Sequence, residues 1–199
     1  GHLELSGQGI ETPIPNPGAV IFDWDNTLVD TFPVIRDALN TTLVAFGHSP
    51  WTMDETRRRV RRSARESFPE LFGGDWERAM EVFYYRYYEI HTDKLKIIAG
   101  ARELIELLAS KSVILSVVSN KRGDVLRAEV AHLGWTDYFN TLVGANDAPR
   151  DKPARDPVDL ALRGTNIQTG PDVWFIGDAD IDLECAKNAG CTAILVGAQ

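Results

Sequence analysis

The chain has 199 residues, 44% of them apolar and 25% charged, with a net charge of -8 at neutral pH. That length holds one full core plus a modest insertion, and no apolar run approaches the roughly 20 residues needed to cross a bilayer. The negative field disfavours nucleic acid and membrane surfaces as partners, but a small anion needs only local positive charge.

Residues 1–18, with Pro13, Pro15 and Pro17, read as an extended arm. The arm lacks the basic start and apolar stretch of a secretory signal, which sets a cytoplasmic expectation, and its Gly1-His2 start suits an expression-tag remnant. Ala19-Val20-Ile21-Phe22 then reads as a short buried strand. Residues 31–99 carry only helical patterns and are predicted to form an inserted α-helical cap. Its first helix has Asp30 or Thr31 as cap residue and Pro33 in the first turn, and ends by Gly47 and Pro50. The aromatic run from Phe83 to Tyr88 is expected to pack these helices together.

Beyond the insertion, helical patterns at 101–110, 123–133, 157–163 and 181–189 alternate with apolar runs at 113–118, 139–143, 173–176 and 192–196. Alternation of this kind predicts an α/β core, residues 19–30 and 100–199, whose parallel sheet is covered on both faces. Cys185 and Cys191 lack the spacing of a zinc site and read as reduced, buried thiols.

Directly after the first strand, Asp23-Trp24-Asp25-Asn26-Thr27 places two acids on one side by period-two alternation, with Phe22 and Trp24 on the other. Carboxylates converging at the carboxyl end of a parallel strand lie where such sheets bind ligands, although Asp and Asn also favour plain turns. After the 173–176 strand, Gly177-Asp178-Ala179-Asp180-Ile181-Asp182 puts Asp178 and Asp182 one helical turn apart, with Asp180 facing elsewhere. If Asp23, Asp25 and Asp178 cluster, each pair of charges about 4 Å apart repels by roughly 4 kcal/mol at an effective dielectric near 20. A hard divalent cation removes that repulsion, and oxygen-only ligands point to Mg2+. Ser119-Asn120 and Lys152, at two further strand ends, supply the hydroxyl, amide and ammonium donors an incoming phosphate needs.

These motifs, in this order, resemble the haloacid dehalogenase-like superfamily of phosphohydrolases, over nearly all of the chain from Val20 to Val196. The resemblance implies a Rossmann-like sheet in strand order 3-2-1-4-5, with the first and fourth strands at the topological switch point. It also implies Asp23 as nucleophile, Asp25 as general acid and base, and Ser119, Asn120 and Lys152 as phosphate-binding groups. Its metal ligands would be Asp23, the Asp25 backbone carbonyl and Asp178, with Asp182 either a ligand or a residue that supports them. The presence of Asp25 separates the chain from the dehalogenase and phosphonatase branches. The helical insertion resembles the phosphoglycolate phosphatase and β-phosphoglucomutase group, and Asn26 with Thr27-Leu28-Val29-Asp30 looks more like the phosphatase side. Arg155 departs from the pattern, since relatives commonly carry proline there.

The expectation is therefore a Mg2+-dependent phosphoric monoester hydrolase acting on a small phosphorylated metabolite, with phosphoglycolate as the leading substrate. A phosphomutase of the β-phosphoglucomutase type would use the same aspartates. A non-catalytic binding module would instead use the basic stretch Arg57-Arg58-Arg59-Val60-Arg61-Arg62, with Arg65. Arginines so closely spaced surround a helix, so most meet solvent, while one or two are candidates to bind a second anionic group of the substrate. Neutralising Arg58, Arg61, Arg62 and Arg65 one at a time is expected to raise KM several-fold at one of them, and steady-state kinetics on a phosphorylated carboxylic acid checks this.

Overall fold

Every residue of the first strand, β1 (Ala19–Phe22), is buried, as a strand covered on both faces requires. The computed structural model describes residues 16–59 and 64–197, with 64–66 described by backbone alone. In chain order there follow β2 (Val29–Asp30), α1 (Phe32–Ala45), α2 (Met53–Arg59), α3 (Ala64–Phe72), α4 (Trp76–Ile90) and β3 (Lys96–Ile97). Then come α5 (Ala101–Ser110), β4 (Ile114–Arg122), α6 (Gly123–His132), β5 (Thr141–Ala145), α7 (Asp156–Leu162), β6 (Val173–Gly177), α8 (Asp180–Ala189) and β7 (Thr192–Leu195). They form two compact units, one running to Asp30 and resuming at Lys96, the other Thr31–Leu95.

The first unit is built on a five-stranded sheet in order β5-β4-β1-β6-β7, with every pairing parallel. Counting only that sheet's strands in chain order, this is 3-2-1-4-5. On one face Ile21, Val118, Val143 and Phe175 share a core with Val158, Ala161 and Leu162 of α7 and Cys185, Ala186 and Ala189 of α8. Alternation turns Val20 and Phe22 to the opposite face. There Trp24 meets the Trp135 ring edge-on at 6.1 Å and donates its indole N–H to Glu129 of α6. Successive crossovers thus leave β1 in opposite directions, through β4 and through β6, and open a crevice at its carboxyl end.

Three local readings change. The apolar run 139–143 becomes β5 two residues later, because Thr136–Tyr138 forms a 3-10 turn and Phe139 is buried by side chain without joining the ladder. The β4 strand continues through Ser119 to Arg122, past its apolar segment. The stretch read as purely helical contains β3, which pairs antiparallel with β2 through Val29–Ile97 and Asp30–Lys96. Strands of two residues carry no periodicity for a sequence pattern to detect. Cys185 is buried, and burial pushes its thiol up to about 12, whereas Cys191 is only partly buried.

In the second unit α1 and α3 pack on α4, with Phe68 edge-on to both Phe72 and Phe83. Thr31 caps α1 by position, without a side-chain hydrogen bond. The aromatic run divides by helical phase: Phe83 and Tyr87 are buried one turn apart, while Tyr85 is 76% exposed. Arg57 lies over the Phe32 ring and Arg59 over Trp51, each at 4.7 Å, and Arg58 is exposed. Arg61, Arg62 and the Arg65 side chain lie outside the described residues, as does the arm through Pro15.

One ion cluster ties α1 to α4: Arg86 donates to both oxygens of Asp37 at 2.7 and 3.3 Å, and Lys94 approaches at 2.9 Å. The Arg86 guanidinium, aided by Lys94, lowers the Asp37 carboxyl to about 2. A depressed carboxyl stabilises the fold above its unfolded value, and that contribution disappears as pH falls through the folded one. Asp37→Asn is therefore expected to lower stability by about 1 kcal/mol at pH 7, allowing for solvent screening, with the difference vanishing between about pH 4 and pH 2. Urea unfolding of both proteins across that range checks it.

Candidate active site

The backbone N–H of Asp23 donates to Ile176 O at 2.9 Å, so pairing with β6 continues one residue past β1 and fixes where the aspartate leaves the sheet. The chain then turns sharply, with the N–H groups of Thr27, Leu28 and Val29 all returning to Trp24 O at 3.0 to 3.3 Å. Asn26 takes up the reversal at φ 63, a left-handed conformation that asparagine tolerates better than most residues. The turn buries Trp24 on the α6 side and leaves Asp23 and Asp25 at the sheet edge.

Lys152 meets Asp23 from the loop before α7. Its side chain is 3% exposed, and its ammonium donates to Asp23 Oδ1 at 3.0 Å and to Asp182 Oδ1 at 2.7 Å. Asn120 holds that loop, its Nδ2 donating to Lys152 O and its Oδ1 accepting from Lys152 N–H, both at 3.0 Å. The Asn120 side chain thus clamps the lysine backbone with one of its two amide N–H groups and its carbonyl oxygen. Ser119 Oγ accepts from the N–H of Lys121 at 3.0 Å and keeps its own proton to donate. Arg155 pairs with exposed Asp159 at 3.0 Å, so its departure from the expected proline is absorbed at the surface.

On the β6 side, Asp182 Oδ2 accepts from the N–H groups of Asp178 and Ala179, each at 3.2 Å. Thr27 Oγ1 lies 3.5 Å from Asp23 Oδ2 and 3.4 Å from Asp178 Oδ1, within reach of both. Asp180 is exposed and takes no part. Asp23, Asp178 and Asp182 offer carboxylate oxygens within 4.8 Å of one another. Three carboxylates therefore face one ammonium. Burial pushes the Asp23 carboxyl up to about 8 against the pull of Lys152, and Asp182 and Asp178 add to the rise. Burial also works against the Lys152 charge, but the adjacent Asp23 and Asp182 carboxylates outweigh it and raise its pKa. The excess negative charge and hard oxygen donors fit a divalent cation. Asp23, Asp178 and Asp182 are the carboxylates grouped closely enough to hold one, and both Asp182 oxygens also accept hydrogen bonds from Lys152 and from the Asp178 and Ala179 N–H groups.

Sequence reasoning does not single out Lys121 or Glu129. Lys121 Nζ donates to Asp25 Oδ1 and to Glu129 Oε1, each at 2.7 Å, and Glu129 also accepts from Trp24 Nε1 at 3.0 Å. The available signal was Glu129 itself, a lone acid on the buried stripe that Leu126 and Val130 form on α6.

A doubly wound parallel sheet with a lysine-paired aspartate at its switch point defines an α/β enzyme. The sequence profile described as haloacid dehalogenase-like hydrolase matches residues 20–196. A phosphoglycolate phosphatase of Chromobacterium violaceum is 30% identical over 188 residues, covering 90% of this chain and 84% of that protein. One from Rhodobacter capsulatus is 30% identical over 184 residues, covering 89% and 83%. Among solved structures, a HAD-superfamily hydrolase from Ehrlichia chaffeensis matches with TM-score 0.67 at 30% identity, over 94% of this chain and 93% of that one. A HAD-superfamily hydrolase from Geobacter sulfurreducens shares the fold, with TM-score 0.77 at 23% identity over 88% and 84%. The chain belongs to the haloacid dehalogenase-like hydrolase family, and within it is a phosphatase.

Gly177 lets β6 pass directly beneath Asp182: a Cβ there would stand 2.4 Å from the Asp182 Cβ, Cγ and Oδ2 atoms. Gly177→Ala must therefore displace the carboxylate that holds Lys152. It is expected to lower stability by about 2 kcal/mol or more and to reduce turnover at least tenfold, checked by thermal unfolding and by phosphatase assay.

Proposed function

We propose that this chain is a Mg2+-dependent phosphatase that hydrolyses a small phosphate monoester through an aspartyl-phosphate on Asp23, with 2-phosphoglycolate as its preferred substrate. The observation that carries the chemistry is the Asp23 carboxylate at the carboxyl end of β1, paired at 3.0 Å with a buried lysine and set beside Asp178. In this reading an Asp23 oxygen attacks phosphorus in line as the bond to the leaving oxygen breaks. Asp25, 31% exposed at the same sheet edge, gives its proton to that oxygen. It then takes a proton from the water that attacks the aspartyl-phosphate, returning Asp23 and releasing phosphate.

Lys152 neutralises charge where the phosphate meets Asp23, Ser119 Oγ donates to a phosphate oxygen, and Asn120 keeps the Lys152 backbone in place. A magnesium ion held by Asp23, Asp178 and the Asp25 backbone carbonyl would supply the remaining positive charge and keep Asp23 ionised. Asp182 supports this set through Lys152 and the Asp178 N–H. One uncompensated contact between Asp23 and the phosphate, at about 4 kcal/mol, would slow transfer by roughly three powers of ten. The substrate assignment leans on relatives named phosphoglycolate phosphatase. The proposed compartment is the cytoplasm, where Cys185 and Cys191 stay reduced. Among the described residues no helix is long and apolar enough to cross a membrane.

Phosphate release from p-nitrophenyl phosphate and a panel of metabolite monoesters, with Mg2+ or EDTA, tests the reading. Turnover is expected only with Mg2+, highest on 2-phosphoglycolate, and to fall at least a thousandfold in Asp23→Asn and in Lys152→Met. Transfer to a sugar instead of water would point to the mutase, and no turnover on any substrate would overturn the catalytic reading.

A further inference from the structure

We propose that Lys121 and Glu129 form a buried positioning device for Asp25, an inference that rests on the role given to Asp25 above. Four side chains make a continuous chain of hydrogen bonds. Trp24 Nε1 donates to Glu129 Oε1 at 3.0 Å, and Lys121 Nζ bridges that oxygen to Asp25 Oδ1 at 2.7 Å on each side. They come from the turn after β1, from the end of β4 and from the middle of α6, so three separate elements converge on one carboxylate.

Exposure falls along this chain away from the site. The Asp25 side chain is 31% exposed, Lys121 9% and Glu129 0%. A buried ion pair contributes little to stability compared with apolar residues of similar volume, because desolvating both charges offsets their attraction. Glu129 stands on a stripe with Leu126 and Val130, where an apolar side chain would pack without that penalty. The arrangement is accounted for by its open end. Glu129 balances the Lys121 charge and so allows the ammonium to be buried, and Lys121 spends a remaining donor on Asp25 Oδ1.

The result is one lysine for each acid of the turn, Lys152 on Asp23 from the loop before α7 and Lys121 on Asp25 from the end of β4. Proton transfer to a leaving oxygen demands a donor within hydrogen-bond reach, and an aspartate on a turn would otherwise sample several rotamers. Lys121 removes that freedom without touching the substrate, which makes it a positioning residue.

The test separates positioning from folding by leaving group. Aryl phosphates such as p-nitrophenyl phosphate expel a stable phenolate and need little proton donation, whereas alkyl phosphates such as glycerol phosphate expel an alkoxide and depend on it. The quantity measured is kcat/KM, which covers steps only through the first phosphoryl transfer, for a series of both classes at one pH. Lys121→Met is expected to lose about 10- to 100-fold on alkyl esters and less than about 3-fold on p-nitrophenyl phosphate, out of the 10²–10⁴ that acid–base catalysis contributes. Glu129→Gln keeps the shape and an acceptor for Lys121, and should shift the ratio the same way by about 3- to 10-fold. It carries the test if thermal unfolding shows that Lys121→Met does not fold. Equal losses on both classes, or none on either, would overturn the proposal while leaving the phosphatase reading intact. No turnover by the wild type would overturn both.

Discussion

Like charges packed at the carboxyl end of β1 and β6 set the terms for the rest of the molecule. Asp23, Asp178 and Asp182 lie within a few ångströms of one another, and Lys152 is the cation built into their midst. Burial lifts the Asp23 carboxyl well above the ordinary carboxylate range despite Lys152, and the Asp182 and Asp178 carboxyl groups add to the rise. Hard carboxylate oxygens grouped in this way fit a divalent cation.

Several side chains around the cluster hold one another in place. Asp182 uses one oxygen on Lys152 and the other on two N–H groups at the start of α8, which ties the lysine loop to the β6 turn. Asn120 grips the backbone of that loop from the end of β4. The Asp23 N–H closes the set by bonding to β6. Asp23 directly follows β1, Asn120 lies near the end of β4, and Asp182 lies in the first turn of α8. A network of this kind rigidifies only when every member is satisfied, and here the principal polar atoms find partners within about 3.2 Å.

The second unit rests on different physics. Its helices are joined by aromatic packing around Phe68, Phe72 and Phe83 and by the Asp37–Arg86–Lys94 cluster, with basic residues of α2 stacked over Phe32 and Trp51. The guanidinium groups of Arg57 and Arg59 lie over aromatic rings within the unit, and all three arginines of α2 are exposed.

The sequence by itself determined the α/β class and the positions of Asp23, Asp25, Asp178 and Lys152 after strands of the sheet, while the strand order followed from the family resemblance. Apolar periodicity reports burial, and acids or lysines directly after buried strands report the sheet edge. Sequence patterns were weakest where an element is too short to have a period, as at β2 and β3, or where a turn displaces a strand, as before β5. Only the tertiary structure decided what each polar side chain does with its hydrogen bonds. Asn120 clamps the Lys152 backbone, Asp182 pairs with the Lys152 ammonium, and Lys121 with Glu129 joins the Asp25 side chain. Apart from the Asp178 and Ala179 N–H groups that bond Asp182, the partners named above lie from 8 to 105 residues away in the chain, and such a pairing leaves no local pattern to read.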